Sequence, residues 1–408
     1  MNTTDISKSG SYDSFIKAVL QLWASDGARG ASARQISLTA GVPVSSIYHH
    51  FGSLEQLFAA AQSVAIERGK AWADQRLEDL QDLPLSPATF PAFFAQAIDS
   101  LCEDSREVAF AWREALAQKG ETSEAIRQEW AELWHRFWSA ACARLGVAHG
   151  QAVIERVFEN ECLMHLIRWR RLVDRACLDE AAMTLGAWLT GTPIPRCPWR
   201  DMARSEAEKA LPRSVATDEA RARIVSAAIA VLGEKGVQGL THRAVAEASG
   251  ATLGTVSHKF RSKSDLVEAA FEGIYLATVE RLRDPGGSLT GGIDEDMLLE
   301  LVSRSVRASS GERANDELFL TAARDPALAN FGVQLRYLRG RTSRGVVEGF
   351  LGDMRATTTM EAALFSAFAS SQIRAHAGAF TNSAAVTVRE ECAVLAGLMR
   401  GCTRLEAN

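Results

Sequence analysis

The chain repeats itself once, and that repetition limits its fold more than any other feature. With residue 15 placed on residue 224, an offset of 209, residues 15–57 fall on residues 224–266 without a gap. Nine pairs are identical: Ala18/Ala227, Gly27/Gly236, Gly30/Gly239, Arg34/Arg243, Gly41/Gly250, His49/His258, Phe51/Phe260, Ser53/Ser262 and Leu57/Leu266. Others are conservative, among them Leu20/Ile229, Ser32/Thr241, Ile36/Val245, Ser46/Thr255 and Ile47/Val256. A period this long describes two duplicated domains and not a solenoid of short units. The length of 408 residues agrees with a multidomain chain.

Each copy reads as three short helices. In the first, Phe15, Val19, Leu22 and Trp23 recur at helical spacing. Gly27 ends that helix, and Gly30 lies in the following turn. Ser32 is placed to cap a second helix through about Leu38. Gly41 makes a tight turn, because glycine alone takes a positive φ cheaply. Pro43 suits the first turn of a third helix, which Ile47 and Phe51 point into the core. In the second copy Ile224, Ala228 and Val231 open the pattern, Gly236 stops it, Thr241 caps, and Val245 and Val256 are core residues. Two short helices joined by a glycine turn, the second carrying small polar and aromatic residues, form a helix-turn-helix whose last helix fits a major groove. The competing reading is a purely structural hairpin. Recurrence of the motif with its flanking helix favours DNA binding.

The segments SARQISLTAGVPVSSIYHHFGSLEQLF and THRAVAEASGATLGTVSHKFRSKSDLVEAAF resemble the TetR family of transcriptional regulators. The resemblance implies an all-α fold with two TetR-like units. Each would join a three-helix DNA-binding domain to a helical ligand-binding and dimerisation bundle. Members of the family are ordinarily homodimers with one unit per chain, so this chain resembles a fused, intramolecular pseudo-dimer. The expected domains are 11–57 and 58–192, a linker at 193–218, then 219–266 and 267–405. The resemblance also implies repression relieved by a small apolar or aromatic effector.

The two heads depart from the family differently. The first keeps Tyr48, which in the family hydrogen-bonds a phosphate, but has Leu54 where a phosphate-facing lysine is usual. The second keeps Lys263 but has Ser257 in place of the tyrosine. The residues expected to face DNA are Ser32, Arg34, Val44, Ser45, Ser46, Tyr48, His49 and His50 in the first head. In the second they are Thr241, Arg243, Thr252, Gly254, Thr255, His258, Lys259 and Lys263. The formal net charge of the whole chain is −5, so any basic surface is local. Residues 12–57 balance Lys17, Arg29 and Arg34 against Asp13, Asp26 and Glu55. Residues 221–266 set Arg221, Arg223, Lys235, Arg243, Lys259, Arg261 and Lys263 against Glu234, Glu247 and Asp265, a balance of +4. Phosphate attraction supplies most sequence-independent affinity, so the second head should contribute the larger salt-dependent share. Different side chains on the two recognition helices predict an operator with dissimilar half-sites. The alternative is that one or both heads have lost DNA binding and the chain acts through a partner. The first head, poorer in cations, would be the one to lose it.

Residues 58–192 and 267–402 show helical periodicity, five or six helices in each. Breaks are expected near 84–91, 102–105, 120–123, 146–150 and 174–178, then 285–294, 309–313, 325–326, 352–358 and 378–383. Thr358 and Glu361 form a capping box. By resemblance the last two helices of each half make a four-helix bundle. Bulky Phe158, Leu163, Leu166 and Trp169 in one half match small Ala363, Ala367, Ser370, Ser371 and Ala375 in the other. Pro193, Pro195, Pro198 and Pro212 mark the linker, with one short helix inside it.

All nine tryptophans precede residue 200. Trp130, Trp134 and Trp138 share one helix face, with Phe137 beside them. The functional reading is an aromatic-walled pocket for one flat apolar effector, with Trp112, Trp130, Trp134, Phe137, Trp138, His165 and Trp169 as ligand-binding candidates. Core packing is the competing reading. Phe319, Phe331, Phe350, Phe365 and Phe368 of the second bundle read as ordinary core. Glu132 and His135 have a di-iron spacing, but a second such pair is lacking. The seven cysteines form no C-x-x-C pair. No phosphate-binding glycine loop or G-x-S-x-G occurs. No enzyme, metal or cofactor is therefore expected. No apolar run is long enough to span a membrane and the first residues are polar, so the expected location is the cytoplasm.

Overall fold

The computed structural model describes residues 3–28, 30–117, 121–209, 218–283, 292–307, 312–376 and 381–402, and among them every regular element is a helix. Packing gathers the chain into two compact units, Met1–Leu85 with Gln96–Arg144, and Ser86–Ala95 with Leu145–Asn408. This division differs from the boundary between the repeats, because the last helices of the first repeat bury their apolar faces in the second unit.

The first unit begins with α1 (Thr3–Ser25), α2 (Ala33–Ala40), α3 (Val44–Phe51) and α4 (Leu54–Asp79). It continues through part of α5 (Phe90–Glu103), then α6 (Arg106–Ala117) and α7 (Glu121–Leu145). α1 packs on α2, α4 and α6. Phe15, Val19 and Trp23 from α1, Ile36 from α2 and Ile47 from α3 are fully buried where these helices meet. Burial of each such side chain contributes about 1.5–3 kcal/mol. Periodicity specified these helices because one face of each is apolar.

The second unit holds α8 (Gln151–His165), α9 (Arg171–Thr190), α10 (Pro198–Lys209), α11 (Glu219–Gly239), α12 (His242–Ser249), α13 (Leu253–Lys259) and α14 (Lys263–Arg283). It ends with α15 (Glu295–Arg307), α16 (Glu312–Arg324), α17 (Ala329–Tyr337), α18 (Arg344–Leu351), α19 (Thr359–Ala375) and α20 (Asn382–Gly401). α11 packs on α12, α14 and α16. Gly236 (φ 66°, ψ −178°) bends α11, and a last turn runs on to Gly239.

α8 and α9 from the first repeat pack against α19 and α20 from the second. Phe158, Leu163 and Leu166 on one side and Ala363, Ala367 and Ser371 on the other are buried. Charge pairs stitch the same helices. Arg156 grips Glu391 through two bonds of 2.8 and 2.9 Å. Arg374 reaches Glu159 at 2.8 Å and Asn160 at 2.7 Å. Trp188 donates its indole N–H to buried Glu361 at 3.1 Å. Glu361 also completes the capping box with Thr358.

The break expected near 174–178 lies earlier in the chain. α9 runs unbroken from Arg171, and the interruption falls at 166–170. Asp174 is part of the first turn of α9, where its carboxylate accepts the Trp169 backbone N–H at 2.9 Å and the Tyr337 hydroxyl. Along the chain, an acidic residue in a helix's first turn reads like one in a turn. The linker carries α10, opened by Pro198 and capped by Glu180 of α9, whose carboxylate accepts the N–H groups of Trp199 and Arg200 at 2.8 Å each. Pro212, and the expected breaks within 118–120, 284–291, 308–311 and 377–380, lie outside the described residues.

Candidate nucleic-acid interface

In the first head, the Ser32 hydroxyl accepts the Gln35 N–H at 3.3 Å and caps α2. Arg34 is exposed two residues after that cap. Gly41 turns the chain with φ 67°. Pro43 sits just before α3 and not inside its first turn, and no side chain caps that helix. Ile47 and Phe51 are buried, and Tyr12 stacks on Phe51 at 4.6 Å. Helical spacing then exposes Ser45, Tyr48 and His49 on the opposite side, with Tyr48 53% accessible. Val44, Ser46 and His50 are half-buried. His50 lies 6.4 Å from the Phe15 ring, so it leans toward the core.

The second head builds the same backbone with better caps. Thr241 accepts the Ala244 N–H and Thr252 accepts the Thr255 N–H, each at 3.1 Å. Gly250 has φ 67°. His242 bonds the Phe260 carbonyl at 2.7 Å, tying the start of α12 to the end of α13. Thr252, Gly254, Ser257 and His258 are exposed, Thr255 and Lys259 are half-buried, and Arg243 is exposed on α12. Lys263 opens α14 at an exposed position, and burial lowers its ammonium pKa. Arg221 lies over the Phe260 ring at 4.7 Å.

Sequence reasoning missed three residues here, Asp218, Leu38 and Leu253. Lys259 is ion-paired to Asp218, the N-cap of α11, and its hydrogen bond holds the Asp218 carboxyl below the usual range. An Asp followed by Glu219 at a helix start was the available signal. Leu38 on α2 is 74% accessible and Leu253 at the start of α13 is 52% accessible. Their place beside the turn, outside the apolar period, was legible.

The aromatic candidates separate into two groups. Trp112, Trp130, Trp134, Phe137 and Trp138 all lie in the first unit and are buried. Trp112 and Trp134 approach to 4.8 Å, Trp130 and Trp134 to 5.8 Å, and Phe137 and Trp138 to 5.0 Å. Trp72, absent from the sequence prediction, closes the cluster 5.3 Å from Phe137. Buried Gln62 accepts the Trp130 indole N–H at 3.0 Å and donates to the Ala111 carbonyl at 2.9 Å. Beside this packed core is a groove of about 250 Å³ lined by Lys70, Ala73, Asp74, Leu77, Leu133, Arg136 and Phe137. Phe137 is the one candidate that lines it. His165 and Trp169 belong to the second unit. There His165 Nδ1 lies 2.7 Å from Arg336, and half-buried Trp169 packs 5.8 Å from Tyr337.

Glu132 and His135 are exposed on α7, and the Glu132 carboxylate accepts from Gln128 at 3.0 Å. Among the described residues no three His, Cys, Asp or Glu side chains gather as a metal ion would require. All seven cysteines are buried free thiols. Burial pushes the Cys177 and Cys392 thiols up to about 12. Among the described residues no helix is long and apolar enough to cross a membrane.

The sequence profile of bacterial regulatory proteins, tetR family, matches residues 15–61 and again residues 224–270. The HTH-type transcriptional regulator CymR of Pseudomonas putida is 30% identical over 140 residues, 34% of this chain and 64% of that protein. The match therefore spans less than two thirds of that relative's length.

Proposed function

This chain belongs to the TetR family of transcriptional regulators and carries two tandem TetR-like units, and from that premise we propose that it represses a promoter by reading an asymmetric operator with two dissimilar heads. A small apolar or aromatic effector releases it. The observation that carries this reading is the pair of complete helix-turn-helix heads in one chain, each with its capped second helix and its glycine at φ 67°. The first head keeps this scaffold although it has fewer cations, which favours two working heads over one.

The active species is a single chain acting as a pseudo-dimer. Supporting this, Arg156 with Glu391 and Arg374 with Glu159 join residues of different repeats. Two first repeats from separate chains would bring no Arg374 to Glu159. In the bound state the recognition helices enter successive major grooves about 34–36 Å apart. An effector that binds better to another spacing shifts the equilibrium by its differential affinity. The groove beside Phe137, at about 250 Å³, suits a ligand smaller than a drug-sized molecule.

Footprinting with the full chain tests the reading. Wild type is expected to protect two major-groove segments one helical turn apart. The double variant Arg243→Ala/Lys263→Ala should lose one segment, and Tyr48→Ala should weaken the other. Protection of one segment by wild type would contradict two working heads. Tryptophan fluorescence with naphthalene and indole as flat probes tests the effector site, and an unchanged spectrum with both would count against it.

A further inference from the structure

Three arginines meet where α10, the helix between the repeats, packs on α17. Arg336 is fully provided for. It donates to the Ile167 carbonyl at 2.9 Å and the Asp174 carbonyl at 3.1 Å, lies 2.7 Å from His165 Nδ1, and is 3.4 Å from the Asp174 carboxylate. Arg200 is different. It is 6% exposed, and its terminal nitrogens donate only to the carbonyls of Arg336 at 3.3 Å and Arg339 at 2.9 Å. Its Nε has no acceptor, and among the described residues no carboxylate lies within ion-pairing distance of it. Arg339 directs Nη2 to Glu161 and the Ala363 carbonyl, and its Nε and Nη1 have no acceptor.

Arg200, Arg339, Glu161, Met164 and Cys177 line one cavity of about 10 Å³, room for one small sphere. A guanidinium offers donors and no acceptor, so the three open nitrogens call for an acceptor. Water accepts two hydrogen bonds and must place two protons of its own. The side chains of the lining offer those protons the sulfur atoms of Met164, Cys177 and Met360, a Tyr337 hydroxyl oxygen that already donates to Asp174, and a Glu161 carboxylate already held by Arg339. Charge points the same way. Burial, and after it the neighbouring Arg339, lowers the Arg200 pKa to about 10. The lining sets Arg200, Arg336 and Arg339 against one carboxylate, Glu161, and a monoatomic anion answers both the open donors and that excess of buried positive charge.

We propose that this cavity binds a single anion of the chloride class between Arg200 and Arg339, fastening the inter-repeat helix α10 to the second repeat. The test is thermal unfolding of the full chain at fixed ionic strength, with sodium gluconate exchanged for sodium chloride. A saturable rise of about 2–4 °C in Tm is expected for wild type and none for Arg200→Met. Should that variant fail to fold, wild-type crystals grown in sodium bromide give a second readout. An anomalous peak between Arg200 and Arg339 supports the site. An empty or water-filled cavity there, or a chloride increment that survives Arg200→Met, overturns it.

Discussion

In the first head Ser32 caps α2 and Gly41 turns the chain at φ 67°; in the second, Thr241 caps α12 and Gly250 turns at φ 67°. Beneath both turns the same core positions are buried, Ile47 and Phe51 in one, Val256 and Phe260 in the other. On that shared frame both heads expose an arginine and a leucine, Arg34 and Leu38 in the first and Arg243 and Leu253 in the second, but the first adds Tyr48 whereas the second adds Lys263 and pairs Lys259 with Asp218. The contrast teaches that torsion and packing hold a head's backbone, whereas its surface is free to diverge. Two heads that began alike can therefore read different DNA without either losing its fold.

The largest separation should come from charge. Arg243→Ala/Lys263→Ala is expected to weaken operator binding about 30-fold at ~0.15 M salt and to lower the salt slope by about 2. Arg34→Ala in the first head should lower it by about 1 at most. Equal slopes in anisotropy titrations would erase the distinction between the heads. Next, Gly41→Ala and Gly250→Ala should each cost about 1–2 kcal/mol in denaturant unfolding. No atom lies within 4 Å of a Cβ built at either glycine, so the cost is torsional and should be the same in both. Unequal losses would show that the frames differ after all.

Smaller effects sharpen the contrast. Tyr48→Phe removes one hydroxyl and should weaken binding about fivefold, near 1 kcal/mol, whereas Ser257→Ala at the matching position should change it less. Asp218→Asn keeps the cap on α11 but releases Lys259, so binding by the second head should tighten about threefold. The Asp218 carboxyl has a lowered pKa in the folded chain, chiefly through its bond to Lys259. The stability it contributes is present above its unfolded value near 3.9 and disappears as pH falls through the lowered folded value. Wild-type affinity should then show no gain from this pair between about pH 5 and 7. A gain within that window would place the pair's titration elsewhere.

What could be read in the sequence was local. The repeat, the caps at Ser32 and Thr241, the glycine turns and the Thr358–Glu361 box each depend on residues within a few positions of one another, and the backbone permits few alternatives there. What could not be read was tertiary. Lys259 meets Asp218 across 41 residues, and Arg200 meets the Arg336 carbonyl across 136. Spacing put Trp130, Trp134 and Trp138 on one face, but whether that face walls a pocket or fills a core depends on Trp72 and Gln62 from α4. Asp174 shows a subtler limit, since an acidic residue in a helix's first turn and one in a loop look alike along the chain.

Selection of bound DNA from a random library, with the mass of the winning complex, tests the central claim most directly. The account predicts a bipartite, non-palindromic site carrying one chain. A palindrome carrying two chains would contradict it, because each chain would then be reading with one head.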